Sequence, residues 1–296
     1  MAVHEEIWTG EVLKKFRRDS SFLETIPDRS ALVGNKAIHL VDLGADPEVF
    51  INNTTYPIPT IDAGDADIII ALDKYDTGNT AIKDDHLYAI SYDIIAENTE
   101  AHVRTLSEKS GDKAIHALAP NGHTAATPVI ATTGSTDGGV NARKKITKSD
   151  VLRLKKAFDD ANIPRKDRVL VLCPDHIQQI LEFDEQFAAQ YQNIRDGIVL
   201  PLYGFAVYEY SLMPTYNASN VKKAFGAAAA PTTDCYASVA FYAPRMFKAM
   251  SMPEMYYRTA KESPETRATT IGFRHYFMCM PKKSDAIGAI VSVATA

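Results

Sequence analysis

The chain has 296 residues, of which 46% are hydrophobic and 23% are charged, and its formal net charge is −5. This composition is typical of a folded protein with one large domain or two ordinary ones, and it excludes general disorder. The sequence has no apolar run of about 18 residues and no signal-peptide pattern, which predicts a protein that has no transmembrane helix and folds in a cytoplasm.

The first 45 residues predict an arm that lies across other elements, because a short helical pattern at 6–18 is followed by irregular sequence. The basic cluster of this arm consists of Lys14, Lys15, Arg17 and Arg18. Such a cluster is either a solvated helix face or a set of phosphate contacts. Because the whole chain is acidic, any contact with nucleic acid is expected to be weak, non-specific and sensitive to salt.

A long hairpin is predicted next, with strands at 49–61 and 66–73 around a turn at 63–65. Strands of this length would reach roughly 30–40 Å, and a two-stranded ribbon is marginally stable alone in water. Pro57 and Pro59 withhold two N–H groups from the same edge, which predicts an edge strand. The apolar side chains that need a partner surface are Tyr56, Ile58, Ile61, Ile68, Ile70 and Leu72. The ribbon therefore indicates assembly with other chains.

A long amphipathic helix is predicted over 84–119, because apolar residues recur there at spacings of three and four. Pro120 marks its end, and Gly111 is a candidate interruption. A short strand is predicted at 128–132.

From Thr147 onward the pattern is that of an α/β unit. Thr147 and Asp150 match a capping box at the start of a helix that ends before Pro164. The elements predicted after it are a buried strand at 168–173, a helix from Pro174 to about 189, paired strands over 197–210 bent at Gly204, a strand at 236–242 and a helix at 244–250. Strands that alternate with helices predict a central sheet within 148–250. Strands near 268–280 and 289–294 are expected to pack on the long helix.

No pattern in the chain matches a catalytic, cofactor-binding or metal-binding site. The loop GSTDGG at 134–139 lacks the ending of a phosphate-binding loop, and the eight histidines do not have metal-ligand spacing. Asp175 and His176 follow a strand, where α/β enzymes often place catalytic groups, but a carboxylate in a first helical turn also favours the helix dipole. The three cysteines are interpreted as small core hydrophobes, namely Cys173, Cys235 and Cys279.

The order of these elements resembles that of the major capsid proteins of tailed double-stranded-DNA bacteriophages. The resemblance covers nearly the whole chain and includes the phrases TTYPIP at 54–59, LYAISYD at 87–93, the segment 144–176 and GIVLPLYGFAVYEYSLMP at 197–214. It implies an α+β fold, the tailed-phage major capsid fold that encapsulins share. The implied parts are an N-terminal arm at 1–45, an E-loop hairpin at 46–83, a peripheral domain with a spine helix at 84–147, an axial α/β domain at 148–250, and return strands of the peripheral domain at 251–296.

The resemblance also implies a non-enzymatic shell protein that forms hexamers and pentamers of an icosahedral virion capsid around packaged double-stranded DNA. The ribbon residues named above would contact a neighbouring subunit, and the basic cluster would contact DNA weakly at the inner surface. A portal protein and a separate scaffolding protein are expected partners, with no membrane, and assembly is expected in the host cytoplasm. Two alternatives stay open: an encapsulin-type compartment that encloses cargo protein, and a soluble α/β enzyme built on 148–250.

Overall fold

The computed structural model describes residues 18, 20–33, 37–42, 54, 56–57, 66–83, 94–138, 142–185, 187–188, 199–230 and 232–294. The helices are α1 (Ile94–Leu118), α2 (Lys148–Asp160) and α3 (Pro174–Phe183). The first strands are β1 (Ala37–Asp42), β2 (Ala66–Ala71), β3 (Asp73–Asp76), β4 (Thr80–Lys83), β5 (Val129–Ala131), β6 (Arg168–Leu172) and β7 (Val199–Leu202). The later strands are β8 (Phe205–Glu209), β9 (Thr215–Tyr216), β10 (Cys235–Tyr242), β11 (Met246–Met250), β12 (Glu254–Arg258), β13 (Ala268–Pro281) and β14 (Ile287–Val291).

The central sheet has the strand order β5-β14-β10-β6-β8-β7, with β9 paired to β10. The expectation that a late strand packs on the long helix is confirmed for β13, because Leu106 of α1 shares a cluster with Ile271 and Phe273. Strand β14 lies between β5 and β10 in the central sheet, and its Ile287 shares a cluster with Ile115 of α1. All five of its residues are buried, as expected for a strand that has a neighbour at each edge and packed layers on both faces of the sheet.

Apolar side chains cover both faces of this sheet. Val169 and Val171 of β6 contribute to a cluster with Ile115 of α1, whereas Leu170 and Leu172 contribute to a cluster with residues of α2 and α3. Because successive side chains of a strand point to opposite faces, the continuous apolar run of β6 supplies two cores at once.

The second sheet is built around β13, whose two edges have different neighbours. Arg274 is the register partner of Glu254 in β12 and of Asp76 in β3, and Phe277 is the partner of Met250 in β11 and of Asp73 in β3. Strands β11 and β12 therefore follow one another along one edge, and β3 and β4 follow one another along the other.

The helix predicted at 244–250 is replaced by a 3-10 turn (Ala243–Arg245) and strand β11. Met246, Phe247 and Ala249 are buried there. A short apolar run has no periodicity that separates a buried strand from a helix, and pairing with the long strand β13 decides the outcome.

The ribbon contains a strand that the sequence analysis placed in the N-terminal arm. Strand β2 pairs antiparallel with β1, with Ile38 opposite Ile70 and His39 opposite Ile69. Because a strand can pair at both of its edges, the pairing of 66–73 with 49–61 stays a prediction. Of the predicted strand 49–61, only residues 54, 56 and 57 lie within the described residues.

The long helix and the capping box agree with the sequence pattern. Helix α1 continues through Gly111 without interruption; its predicted start at 84–93 lies outside the described residues. At the start of α2, Thr147 accepts the Asp150 N–H at 3.4 Å, and the Asp150 carboxylate accepts the Thr147 N–H at 3.0 Å. Strands β7 and β8 turn at Gly204, whose φ of +90° suits glycine. Helix α3 ends at Phe183, earlier than predicted.

Candidate assembly surfaces

A buried ionic junction joins the N-terminal arm to α1 and to the central sheet. The Asp112 carboxylate, whose side chain is fully buried, accepts hydrogen bonds from Arg18 Nε at 3.0 Å and Arg18 Nη2 at 2.9 Å. Tyr210 Oη donates to the same carboxylate at 2.7 Å, and burial together with this carboxylate raises the pKa of the Tyr210 phenol. Removal of one partner from such a buried group is costly, so the junction fixes the arm.

The junction corrects the prediction for Arg18, which was expected to contact DNA. Its guanidinium forms ion pairs with Glu108 at 2.7 Å and with Asp112 at 2.9 Å. These carboxylates belong to α1, so the charge of Arg18 is neutralised within its own chain. Lys14, Lys15 and Arg17 lie outside the described residues.

Gly111 allows the arm to approach α1 closely. A Cβ atom at this position would lie 3.1 Å from Ser20 Cβ and 3.1 Å from Tyr210 Oη, closer than most real Cβ contacts. The glycine that the sequence pattern marks as a weak point of the helix therefore makes space for the arm beside Asp112. A glycine inside a strong helical pattern is the signal from which this packing could be inferred.

The ribbon residues predicted to contact a neighbour differ in their exposure. Leu72 is only 7% exposed and packs with Ile38 and Phe247 of its own chain, so the prediction that it needs a neighbour for burial was wrong. Ile70 is half-buried against the same cluster. Tyr56 is 74% exposed and is available for a contact. Ile58 and Ile61 and the side chain of Ile68 lie outside the described residues.

The sequence prediction missed Ile69, which is 64% exposed on β2. Ile70 packs against the chain's own core, and side chains alternate along a strand, so Ile69 projects from the opposite face of the ribbon. The run of three isoleucines at 68–70 hides this alternation, because every position in it is apolar.

The Asp175–His176 pair has the environment of a structural element. His176 is fully buried, and its ring nitrogens each lie 2.6 Å from a serine hydroxyl, Nδ1 from Ser238 and Nε2 from Ser292. Burial lowers the pKa of His176 to about 4, so the ring is neutral near pH 7. Burial likewise raises the pKa of the Cys173 thiol to about 11, which disfavours the reactive thiolate.

Three further observations concern possible metal binding, membrane insertion and exposed apolar surface in the part of the chain that the structure covers. No group of three histidine, cysteine, aspartate or glutamate side chains is placed there to hold a metal ion, and none of the helices there is long and apolar enough to cross a membrane. An apolar strip is exposed on and before β12, and it consists of Met250, Met252, Met255, Tyr256 and Tyr257.

Residues 51–292 match the model of a protein family whose description is "Phage capsid protein". The chain belongs to this family. Among curated proteins, none matches the sequence.

Solved structures from phages and from a GTA particle share the fold across nearly the whole chain. The structure from Mycobacterium phage Che8 is 14% identical, with a TM-score of 0.65, and the match covers 98% of this chain and 97% of that one. The capsid of the empty GTA particle is 13% identical, with a TM-score of 0.67 and coverage of 97% and 94%. The capsid of cyanophage Pam1 is 12% identical, with a TM-score of 0.66 and coverage of 100% and 99%.

Family membership and fold together identify the chain as a structural shell protein of a bacteriophage capsid. The α+β capsid fold predicted from the sequence is confirmed, and the encapsulin alternative is not favoured. In this light, the exposed ribbon and the apolar strip at β12 are candidate contacts between capsid subunits.

Proposed function

We propose that the chain assembles into hexamers and pentamers of an icosahedral head that encloses packaged double-stranded DNA, and that assembly takes place in the host cytoplasm. The observation that supports this proposal is the ribbon surface, where Tyr56 and Ile69 are 74% and 64% exposed. Large apolar side chains that are this exposed lose contact with water when a partner covers them, which favours association. Many copies of one chain supply that partner in a shell.

The ribbon serves in this proposal as the E-loop, which lies over a neighbouring subunit. The proposed peripheral domain contains α1 and the sheet around β13, and the proposed axial domain contains the central sheet with α2 and α3. These domains differ from the ranges expected from the sequence, because β5 and β14, outside 148–250, belong to the central sheet and β11, within 148–250, belongs to the sheet around β13. The ribbon strand β2 is followed directly by β3, which pairs with β13, so the ribbon is anchored to the sheet of the proposed peripheral domain.

Contacts with DNA are proposed to be weak and to come from the inner surface, with Lys14, Lys15 and Arg17 as the remaining candidates. The chain carries a net charge of −5, so the shell is expected to confine DNA mechanically and not to bind it tightly. A portal protein and a separate scaffolding protein are the further partners proposed.

The proposal is tested by expressing the chain with and without the candidate scaffolding protein from the same phage. Negative-stain images of the purified protein should show rings or closed shells. The absorbance ratio at 260 and 280 nm of particles isolated from infected cells should indicate nucleic acid inside. A protein that remains a small, uniform oligomer under all of these conditions would contradict the proposal, and particles filled with protein cargo would favour the encapsulin alternative.

A further inference from the structure

One edge of the sheet around β13 is covered by the chain itself along β11 and uncovered along β12. The arm covers β11, because Lys248 O accepts the Arg29 N–H at 2.8 Å and the Lys248 N–H donates to Pro27 O at 3.0 Å. The cover ends at Met250, whose N–H donates to Ser30 Oγ at 3.0 Å. All five residues of β12 are exposed, and within the described residues no strand pairs with its outer side.

The backbone groups that face this open edge can be identified from the opposite edge of β13. Phe273 donates its N–H to Thr77 Oγ1 at 2.9 Å and accepts the Thr77 N–H at 2.9 Å, so its backbone groups point away from β12. Backbone groups alternate sides along a strand. Met255, the register partner of Phe273, therefore forms a pair without hydrogen bonds to β13, and its own N–H and C=O point outward. The same holds for Tyr257, two residues later.

The sequence of β12 is complementary to itself when two copies run antiparallel. Read from Glu254 to Arg258, the strand is Glu-Met-Tyr-Tyr-Arg. With a two-fold axis at Tyr256, each Glu254 lies opposite the Arg258 of the second copy, and each Met255 lies opposite the second Tyr257. Opposite charges that face each other across two strands stabilise the pair, as do apolar and aromatic neighbours.

The same register also matches the backbone. It places the two residues with outward-facing groups, Met255 and Tyr257, directly opposite each other, and such a pair exchanges two hydrogen bonds. The two-fold axis makes two such pairs and therefore four hydrogen bonds. Tyr256 then faces the second Tyr256 as a pair without hydrogen bonds, in which side chains approach most closely. A shift of one residue in either strand would lose both the charge pairing and the match of the backbone groups.

We propose that β12 pairs antiparallel with β12 of a second copy of this chain, across a two-fold axis at Tyr256. The inference rests on the proposed function, since it specifies one contact between subunits of the shell. A two-fold contact uses the same patch on both partners, and β12 is such a patch. Edge strands that remain unpaired are commonly protected by proline or lysine, and β12 contains neither.

A single cysteine at the two-fold axis tests the register. In Tyr256→Cys the two introduced thiols would lie within disulfide reach of each other, while Cys173, Cys235 and Cys279 are buried. Mild oxidation of assembled shells should convert most of the Tyr256→Cys subunits to disulfide-linked dimers on a non-reducing gel. The matched control is Tyr236→Cys, on a half-exposed tyrosine of β10, which should remain monomeric.

A proline substitution tests the pairing by a separate route. Because the N–H of Met255 points outward, Met255→Pro leaves the pairing of β12 with β13 intact but removes one donor from each of the two intersubunit pairs. We expect folded Met255→Pro subunits with the thermal stability of Met255→Ala but without closed shells, whereas Met255→Ala still assembles. Assembly of Met255→Pro, or its failure to fold, would overturn the geometry.

The outcomes separate this inference from the proposed function. Failure of the unmodified chain to make particles under any condition would count against the shell. Particles of Tyr256→Cys without the cross-link would count against the self-pairing of β12 alone. If Met255→Pro blocks assembly and Tyr256→Cys does not cross-link, the edge is occupied by a different segment, and the inference is wrong.

Discussion

Ile69→Asp should separate assembly from folding. Ile69 is 64% exposed in its own chain, so the substitution removes almost no contact within the subunit, and a surface change of this kind typically shifts the free energy of unfolding by less than about 0.5 kcal/mol. The subunit should therefore remain folded.

The effect on the proposed ribbon contact should be much larger. Full burial of an isoleucine side chain contributes about 1.5–3 kcal/mol, so burial of the exposed part by a neighbour contributes about 1–2 kcal/mol per contact. Loss of this contribution lowers the association constant of each contact roughly 5- to 30-fold. The aspartate adds an uncompensated charge to the interface, and the effect is multiplied over every copy in a shell.

The assay is the lowest protein concentration at which particles appear by sedimentation and negative-stain microscopy. The matched control, Ile69→Val, keeps an apolar side chain and should assemble close to the level of the unmodified chain. Thermal unfolding of unassembled subunits provides the second measurement. The reasoning about the ribbon would be refuted if Ile69→Asp formed particles at the same lowest protein concentration as the unmodified chain, or if its unassembled subunits lost much of their thermal stability.

Three further predictions concern the subunit itself. Asp112→Ala leaves Arg18 and Tyr210 without their buried acceptor and should lower the free energy of unfolding by about 3–5 kcal/mol; a loss below about 1 kcal/mol in chemical denaturation would contradict the role of the junction. Val171→Asp places a charge inside the apolar cluster that contains Ile115 and should prevent folding, seen as insoluble expression. Because the folded pKa of His176 is about 4 and its unfolded pKa is about 6.5, the unfolded state binds more protons between these values, so stability present above pH 6.5 should fall as the pH falls towards 4. In denaturant titrations at pH 7 and pH 5, His176→Asn should reduce the difference in the free energy of unfolding between the two pH values. An unchanged difference would contradict this prediction.

Local signals predicted the elements whose causes are local. The capping box at Thr147 and Asp150 gave the start of α2, the apolar run gave β6, and Gly204 gave the turn between β7 and β8. In each case the residues that determine the structure are near neighbours in the chain, so their pattern can be read directly from the sequence.

Pairings between distant segments could not be read in this way. Arg18 and Tyr210 are 94 and 98 residues from Asp112, and no periodicity in the chain brings them together. The pairing of β2 with β1 was missed for the same reason, because apolar strands pair equally well with several candidates until the rest of the fold selects one. The sequence indicated that the ribbon carries apolar side chains, but it did not show which of them are exposed. Ile70 and Leu72 pack against the chain's own core, whereas Ile69 lies on the opposite face and is exposed.

The position of β14 affects the order in which the parts of the subunit can fold. Among the described strands, β5 joins the central sheet through β14, and Phe22 of the arm shares a core with Phe277 and Ile287. Segments that lie far apart in the chain must therefore meet before either core is closed. Because long-range pairing costs loop-closure entropy before its contacts form, we expect the closure of both cores to be a late and slow step of folding. A subunit that has not passed this step lacks the finished surfaces with which it would join a shell.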